Sequence, residues 1–233
     1  MVKSSVAFPI EIAAVAFDLD GTLVETLPDL HEAANRTLKD LGRSPIGVEK
    51  VRSYVGEGVD RLVKRMLTGT MTGEPDTDVF EQARSRFREH YREVLVRASR
   101  PFPGVVPALD ALRARGQKLA CVTNKPEAFT LPLLEAVGLR ARLDLVVAGD
   151  TLPRKKPDAL PLLHCAQSFG VSAERLLMVG DSQTDIAAAR AAGCPVFCVP
   201  YGYRGGMALT DLDCDAIVAT VSEVLDLTRP FRS

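Results

Sequence analysis

Apolar and polar positions alternate along this chain in two periods, and the two fall in different regions. From about residue 104 onward, short apolar runs alternate with stretches of helical spacing. Leu119 to Val122, Leu143 to Ala148, Leu176 to Val179 and Val196 to Val199 predict buried strands, as does Ile12 to Phe17 near the start. Between them, Val105 to Arg115, Pro126 to Val137, Asp158 to Phe169 and Thr184 to Ala192 repeat apolar residues at helical spacing. Gly116, Gly138, Gly170 and Gly193 follow these stretches where a helix stops on a left-handed residue. Ile217 and Val218 suggest a last edge strand. Strand–helix alternation of this kind predicts a parallel sheet covered by helices on both faces.

Residues 25 to 100 follow only the helical period. Leu30, Ala34, Leu38 and Leu41 form one apolar face. Val59, Leu62, Val63, Met66 and Leu67 form a second, and Phe80, Ala83, Phe87, Tyr91 and Leu95 a third. Pro101-Phe102-Pro103-Gly104 then returns the chain stiffly to the sheet. The expected organisation is an α/β, doubly wound, Rossmann-like core of residues 1–24 and 101–233. An all-helical cap of residues 25–100 is inserted after the first strand, over the carboxyl end of the sheet.

Composition limits the reading without naming a chemistry. The chain has 233 residues, 46% hydrophobic and 25% charged, with a net charge of −1. That is enough chain for a large core, and it carries no basic field for nucleic acid. Cys121, Cys165, Cys194, Cys198 and Cys214 are scattered and odd in number, which suggests a reducing compartment. No apolar run approaches the roughly 20 residues of a membrane helix, and no signal-peptide pattern opens the chain, so a cytoplasmic location is expected. His31, His90 and His164 all lie in helical patterns, which leaves a zinc site without support.

The chemistry sits at predicted strand ends. The first strand runs into Asp18-Leu19-Asp20-Gly21-Thr22, the second into Thr123-Asn124 and the fourth into Gly180-Asp181-Ser182, with Asp185 one turn on. Lys156 lies in the connection after the third strand. Parallel strands present these ends on one edge, where ligands of open α/β sheets bind. Singly, Thr123-Asn124 and Asp181-Ser182 equally suit helix caps, and Lys155 and Lys156 suit solvated loop charges. Together they assemble carboxylates, a hydroxyl, an amide and a cation. Asp18, Asp20 and Asp181 offer hard oxygens suited to Mg²⁺. An Asp carboxylate can attack phosphorus while a second carboxyl two residues on protonates the leaving oxygen. Lys156 and the metal would offset charge repulsion, and Thr123 and Asn124 could donate to phosphoryl oxygens.

In their order, Asp18-Leu19-Asp20-Gly21-Thr22, Thr123-Asn124, Lys156-Pro157 and Gly180 to Asp185 resemble the four motifs of the haloacid dehalogenase superfamily. The resemblance implies a Mg²⁺-dependent aspartyl-phosphate mechanism on a small phosphate ester. It implies Asp18 as nucleophile and metal ligand, and Asp20 as acid/base that meets the metal through its carbonyl. Thr123 and Lys156 would hold the phosphoryl group, Asp181 would ligate the metal, and Asp185 would ligate or support it. Val24 to Leu30, Tyr54 to Gly58, Pro101 to Val105 and Tyr201-Gly202-Tyr203 are similar to bacterial phosphoglycolate phosphatases, which makes 2-phosphoglycolate the expected substrate. A phosphosugar phosphatase, a β-phosphoglucomutase-like isomerase and a non-catalytic module stay open, whereas retention of Asp20 argues against dehalogenation. Glu57, between Gly56 and Gly58, is the cap residue expected to reach the site. Arg61, Lys64 and Arg65 suit either a substrate carboxylate or a solvated helix face. Expected partners are a small phosphate ester, no nucleic acid and no membrane, in a monomer or homodimer.

Overall fold

Ala14–Phe17 (β2) is buried along its whole length and lies in the middle of a six-stranded parallel sheet in the computed structural model, which describes residues 7–231. It pairs on one side with Lys118–Val122 (β5) and on the other with Leu176–Gly180 (β7). Leu145–Val147 (β6) adds beyond β5, while Val196–Cys198 (β8) and Ala216–Ile217 (β9) add beyond β7, giving the order β6-β5-β2-β7-β8-β9. The chain thus builds outward from β2 on one side, then returns to build on the other. That reversal is the switch point at which open α/β sheets bind ligands.

Strand periodicity divides the core into two layers. Val15, Phe17, Leu119, Cys121, Leu177 and Val179 face one side, packing with Val105–Ala114 (α5) and Glu127–Ala136 (α6). Ala14, Ala16, Ala120, Val122, Leu176 and Met178 face the other, packing with Leu160–Phe169 (α7) and Gln183–Ala192 (α8). Burial on both faces explains why these strands read as continuous apolar runs. Gly116, Gly138, Gly170 and Gly193 all take positive φ, the helix stops expected of them.

Between β2 and β5 lie Leu27–Asp40 (α1), Val48–Tyr54 (α2), Val59–Thr68 (α3) and Thr77–Val94 (α4). The apolar faces of α1, α3 and α4 are those read from the sequence, and they merge with the layer containing Phe17. The short α2 was not anticipated: it buries only Val51 and Tyr54, too few to show a period. Val24–Glu25 (β3) and Arg100–Pro101 (β4) pair as an antiparallel ribbon where the chain leaves and re-enters the core. Asp29 of α1 closes this junction by accepting from Ala98 N, Ser99 N and Ser99 Oγ at 2.6–3.2 Å.

The first apolar run is divided. Ile10–Ile12 (β1) belongs to a separate pair with Thr228–Pro230 (β10), which follows the short helix Val224–Leu227 (α9). Ala13 separates it from β2 and donates to Arg175 O at 2.9 Å.

Candidate active site

Register brings the chemistry together. Phe17 is level with Cys121 and Val179 on its neighbours, so Asp18, Thr123 and Asp181 emerge at one edge. After Asp18 the chain turns tightly: Leu23 N and Val24 N both donate to Leu19 O, at 3.1 and 2.9 Å. Gly21 makes this turn at φ +88°, where a Cβ would strike the Asp181 carboxylate and stand 2.9 Å from the Tyr203 ring.

Lys156 is the electrostatic centre of the site. Its Nζ donates to Asp18 Oδ1 at 2.8 Å, to Asp185 Oδ1 at 2.7 Å and to Val122 O at 2.6 Å. All three protons of the ammonium are therefore engaged. Asp185 turns its other oxygen to Asp181 N, Ser182 N and Ser182 Oγ, at 3.2, 3.0 and 2.7 Å. It closes a capping box on α8 with Ser182. The capping and chemical readings of this segment hold at once. Thr123 and Asn124 cap nothing: Pro126, just before α6, makes no side-chain cap, and the first N–H of the helix, on Glu127, donates to Asp150 Oδ1 at 2.8 Å instead. Asn124 instead ties loops together, donating to Lys156 O at 2.9 Å and Gly56 O at 3.2 Å.

Asp18, Asp181 and Asp185 bring carboxylate oxygens within 4.8 Å of one another, all buried. Asp181 accepts from Thr22 Oγ1 at 3.2 Å and from Tyr203 N. Burial pushes the Asp18 carboxyl up to about 7, with Asp185 and Asp20 adding to the rise and Lys156 opposing it. Burial, then Asp18 and Asp185, also raises Asp181 well above the usual carboxylate range. For Lys156, burial favours the neutral amine, but Asp18 and Asp185 outweigh it and raise the ammonium. One ammonium, bonded to Asp18 and Asp185, is thus the counter-charge for three buried carboxylates. An all-oxygen, charge-excess cluster of this kind fits a divalent cation.

Asp20 stands apart from that cluster. Lys125 Nζ lies 2.9 and 3.2 Å from its two carboxylate oxygens and 2.6 Å from the hydroxyl of Tyr91 on α4. Lys125 and Tyr91 were missed in the sequence, because a single Lys before Pro126 reads as a loop charge and Tyr91 as an apolar position on its helix. Asp18, Asp20, Thr123, Asn124 and Lys125 line one side of a cavity. Leu30, Val55, Gly56, Gly58, Val59 and Leu62 line the other.

Glu57 points elsewhere. Its carboxylate pairs with Arg65, and its backbone O accepts from Lys155 Nζ at 2.9 Å. The flanking glycines, not Glu57, line the cavity. Arg65 is buried inside the helical segment, also donating to Tyr54 O at 2.9 Å. Arg61 and Lys64 hold Glu74. His31, His90 and His164 lie on α1, α4 and α7, away from these groups.

The comparisons agree with this geometry. A family model for haloacid dehalogenase-like hydrolases matches residues 12–193. A phosphoglycolate phosphatase of Thiobacillus denitrificans is 52% identical over 217 residues, covering 93% of this chain and 96% of that protein. One from Nitrosospira multiformis is 52% identical over 222 residues, covering 95% and 98%. Among solved structures, a predicted phosphoglycolate phosphatase from Haemophilus somnus superposes with a TM-score of 0.87 at 35% identity, covering 92% of this chain and 96% of that one. Among the described residues, no helix is long and apolar enough to cross a membrane.

Proposed function

The chain belongs to the haloacid dehalogenase-like hydrolases and is a phosphoric monoester hydrolase; from that premise we propose that it hydrolyses 2-phosphoglycolate to glycolate and phosphate through a covalent intermediate on Asp18. The observation that carries the mechanism is the meeting of Asp18 and a second carboxyl group, Asp20, in one cavity, with the Lys156 ammonium bonded to Asp18 from outside that lining. The substrate follows from relatives 52% identical over nearly the whole chain.

A carboxylate oxygen of Asp18 attacks phosphorus as the bond from phosphorus to the ester oxygen breaks. Asp20 gives its proton to that oxygen, and glycolate leaves. Water then attacks the phosphorus of the aspartyl-phosphate and passes a proton to Asp20, restoring Asp18 and releasing phosphate. Lys156 stands against Asp18 throughout and offsets the approach of two anions. Thr123 Oγ1 accepts from Lys125 N at 3.2 Å, which leaves its own proton for a phosphoryl oxygen. Asn124 holds the Lys156 loop in place.

Asp18, Asp181 and Asp185 would hold Mg²⁺, with the backbone of Asp20; bound there, the ion would neutralise phosphoryl charge. Asp185 also fixes Lys156, so it supports the site whichever way it faces the ion. Residues 25–100 would act as a cap, since Gly56 and Gly58 meet Asn124 across the cavity. Cys121, Cys165, Cys194 and Cys198, buried and in no disulfide, support a reducing, cytoplasmic setting. The test is phosphate release from a panel of small phosphomonoesters with Mg²⁺ and with EDTA, and with D18N as control. Metal-dependent preference for 2-phosphoglycolate is expected. Comparable turnover of phosphosugars would overturn the substrate, and phosphosugar isomerisation without phosphate release would move the function to a mutase.

A further inference from the structure

Lys125 is the one cation among the residues that Asp18 and Asp20 share their cavity with. Its side chain is 2% exposed. It is held from two sides, by the carboxylate of Asp20 and by Tyr91, whose hydroxyl accepts from Nζ at 2.6 Å and whose ring centre lies 4.6 Å away. A buried ion pair adds little net stability, because desolvation of both ions offsets their attraction. Its location at the reacting end of the cavity therefore calls for another account.

The substrate proposed above supplies one. In 2-phosphoglycolate a single methylene separates the ester oxygen from the carboxylate carbon. When that oxygen meets Asp20, the carboxylate falls within a few ångströms of the same side chain, where Lys125 stands. A carboxylate brought into a closed cavity needs a partner of opposite charge. Leu30, Val55, Val59 and Leu62 on the facing wall offer none. The other nearby cations are committed: Lys156 to Asp18, Asp185 and Val122 O, and Arg65 to Glu57 and Tyr54 O. Lys155 holds Glu57 O at the rim of a separate cleft.

We propose that Lys125 binds the substrate carboxylate and so sets the specificity of the site. Tyr91, reaching in from α4, acts as a positioning residue for its ammonium. This inference rests on the reading of the substrate as 2-phosphoglycolate.

The experiment compares kcat/KM for 2-phosphoglycolate and for its neutral isostere 2-phosphoglycolamide, with Mg²⁺, in wild type, K125M and K125Q. Wild type is expected to favour the acid by about 10- to 100-fold, the range of one charge-assisted hydrogen bond. Both variants lose that preference, falling much further on the acid than on the amide. K125Q keeps donors toward Asp20 and Tyr91, so its loss reports charge and not packing. Y91F loses several-fold on the acid alone. Variants too slow to assay are read by calorimetric binding of 3-phosphonopropionate against its amide, where the same difference is expected. If the acid-to-amide ratio survives in both Lys125 variants while the two rates fall together, Lys125 serves Asp20 or the fold and the proposal fails. If Y91F lowers both esters equally, Tyr91 has no positioning role toward the carboxylate. If wild type already treats acid and amide alike, the substrate reading fails with it, and the phosphatase chemistry stands.

Discussion

The Nζ of Lys156 lies 2.8 Å from Oδ1 of Asp18, across 138 residues of sequence. Both groups are buried, and the same ammonium holds Asp185 at 2.7 Å. A loop between β6 and α7 thus reaches beneath the central strand and fixes the carboxylate from which the chemistry starts.

Lys156→Met should therefore damage the fold and the reaction together. It leaves Asp18 and Asp185 buried beside each other without a cation, a loss of about 3–5 kcal/mol for a broken buried pair. Thermal unfolding of the metal-free protein reads the first effect. Phosphate release, expected to fall at least about 100-fold with the loss of a charge beside the transferring group, reads the second.

Asp18→Asn should separate the two effects. Turnover falls by at least about 10³-fold, since an amide cannot form the phosphoenzyme. The fold is not weakened, because burial already disfavours the charged form of Asp18. Its folded value near 7 lies above the ordinary 3.8, so its contribution to stability is fully present below about pH 4 and is lost as pH rises through 7. The melting temperature of metal-free D18N, relative to wild type, should accordingly climb between pH 5 and pH 8. A difference that stays flat over that range would contradict the raised carboxyl.

Metal should reverse that penalty. Mg²⁺ at about 100 times its dissociation constant adds about 2.7 kcal/mol to the folded state. At roughly 2–4 °C per kcal/mol, wild type should melt about 5–10 °C higher in Mg²⁺ than in EDTA. The gain is expected to be larger at pH 8 than at pH 5, where Asp18 carries its proton and the ligand set is incomplete. D181N, which removes a carboxylate of the cluster, should abolish the gain at both pH values.

The structure brings Asp18, Thr123 and Asp181 to one edge, an arrangement legible in the sequence because each ends or follows an apolar run and a parallel sheet sends such ends to one edge; Lys156 joins them from the loop after β6. The helices that close on Gly116, Gly138, Gly170 and Gly193 were legible for the same local reason. What stayed hidden depends on distant partners. The split of the first run into β1 and β2 depends on β10, more than 200 residues later. Lys125 was unreadable because its meaning comes from Asp20 and Tyr91, on two other elements. The glycines on either side of Glu57 suggest that it reaches the cavity, but Arg65, one and a half turns along α3 from the start of that helix, draws its carboxylate away.

Gly56-Glu57-Gly58 nevertheless bears on the reaction, through its backbone. Gly58 sits at φ +91°, and a Cβ there would lie 2.9 Å from Asn124 O and 3.2 Å from Lys155 Nζ. The first neighbour is backbone and cannot yield cheaply; the second is a flexible side chain that can. Gly58→Ala therefore creates a clash with Asn124 O that opening the cavity would relieve, besides roughly 1–3 kcal/mol of local strain from the positive φ. Because opening relieves the clash and leaves only the local strain, the melting temperature should change by only a few degrees, while kcat/KM for the small ester falls about 10-fold or more. Gly42→Ala gives the control, since that glycine also has positive φ but meets nothing within 4 Å. It should weaken the fold by a similar backbone term and leave kcat/KM unchanged. Equal losses of activity in the two variants would show that strain alone, and not the approach of Gly58 to Asn124, governs closure.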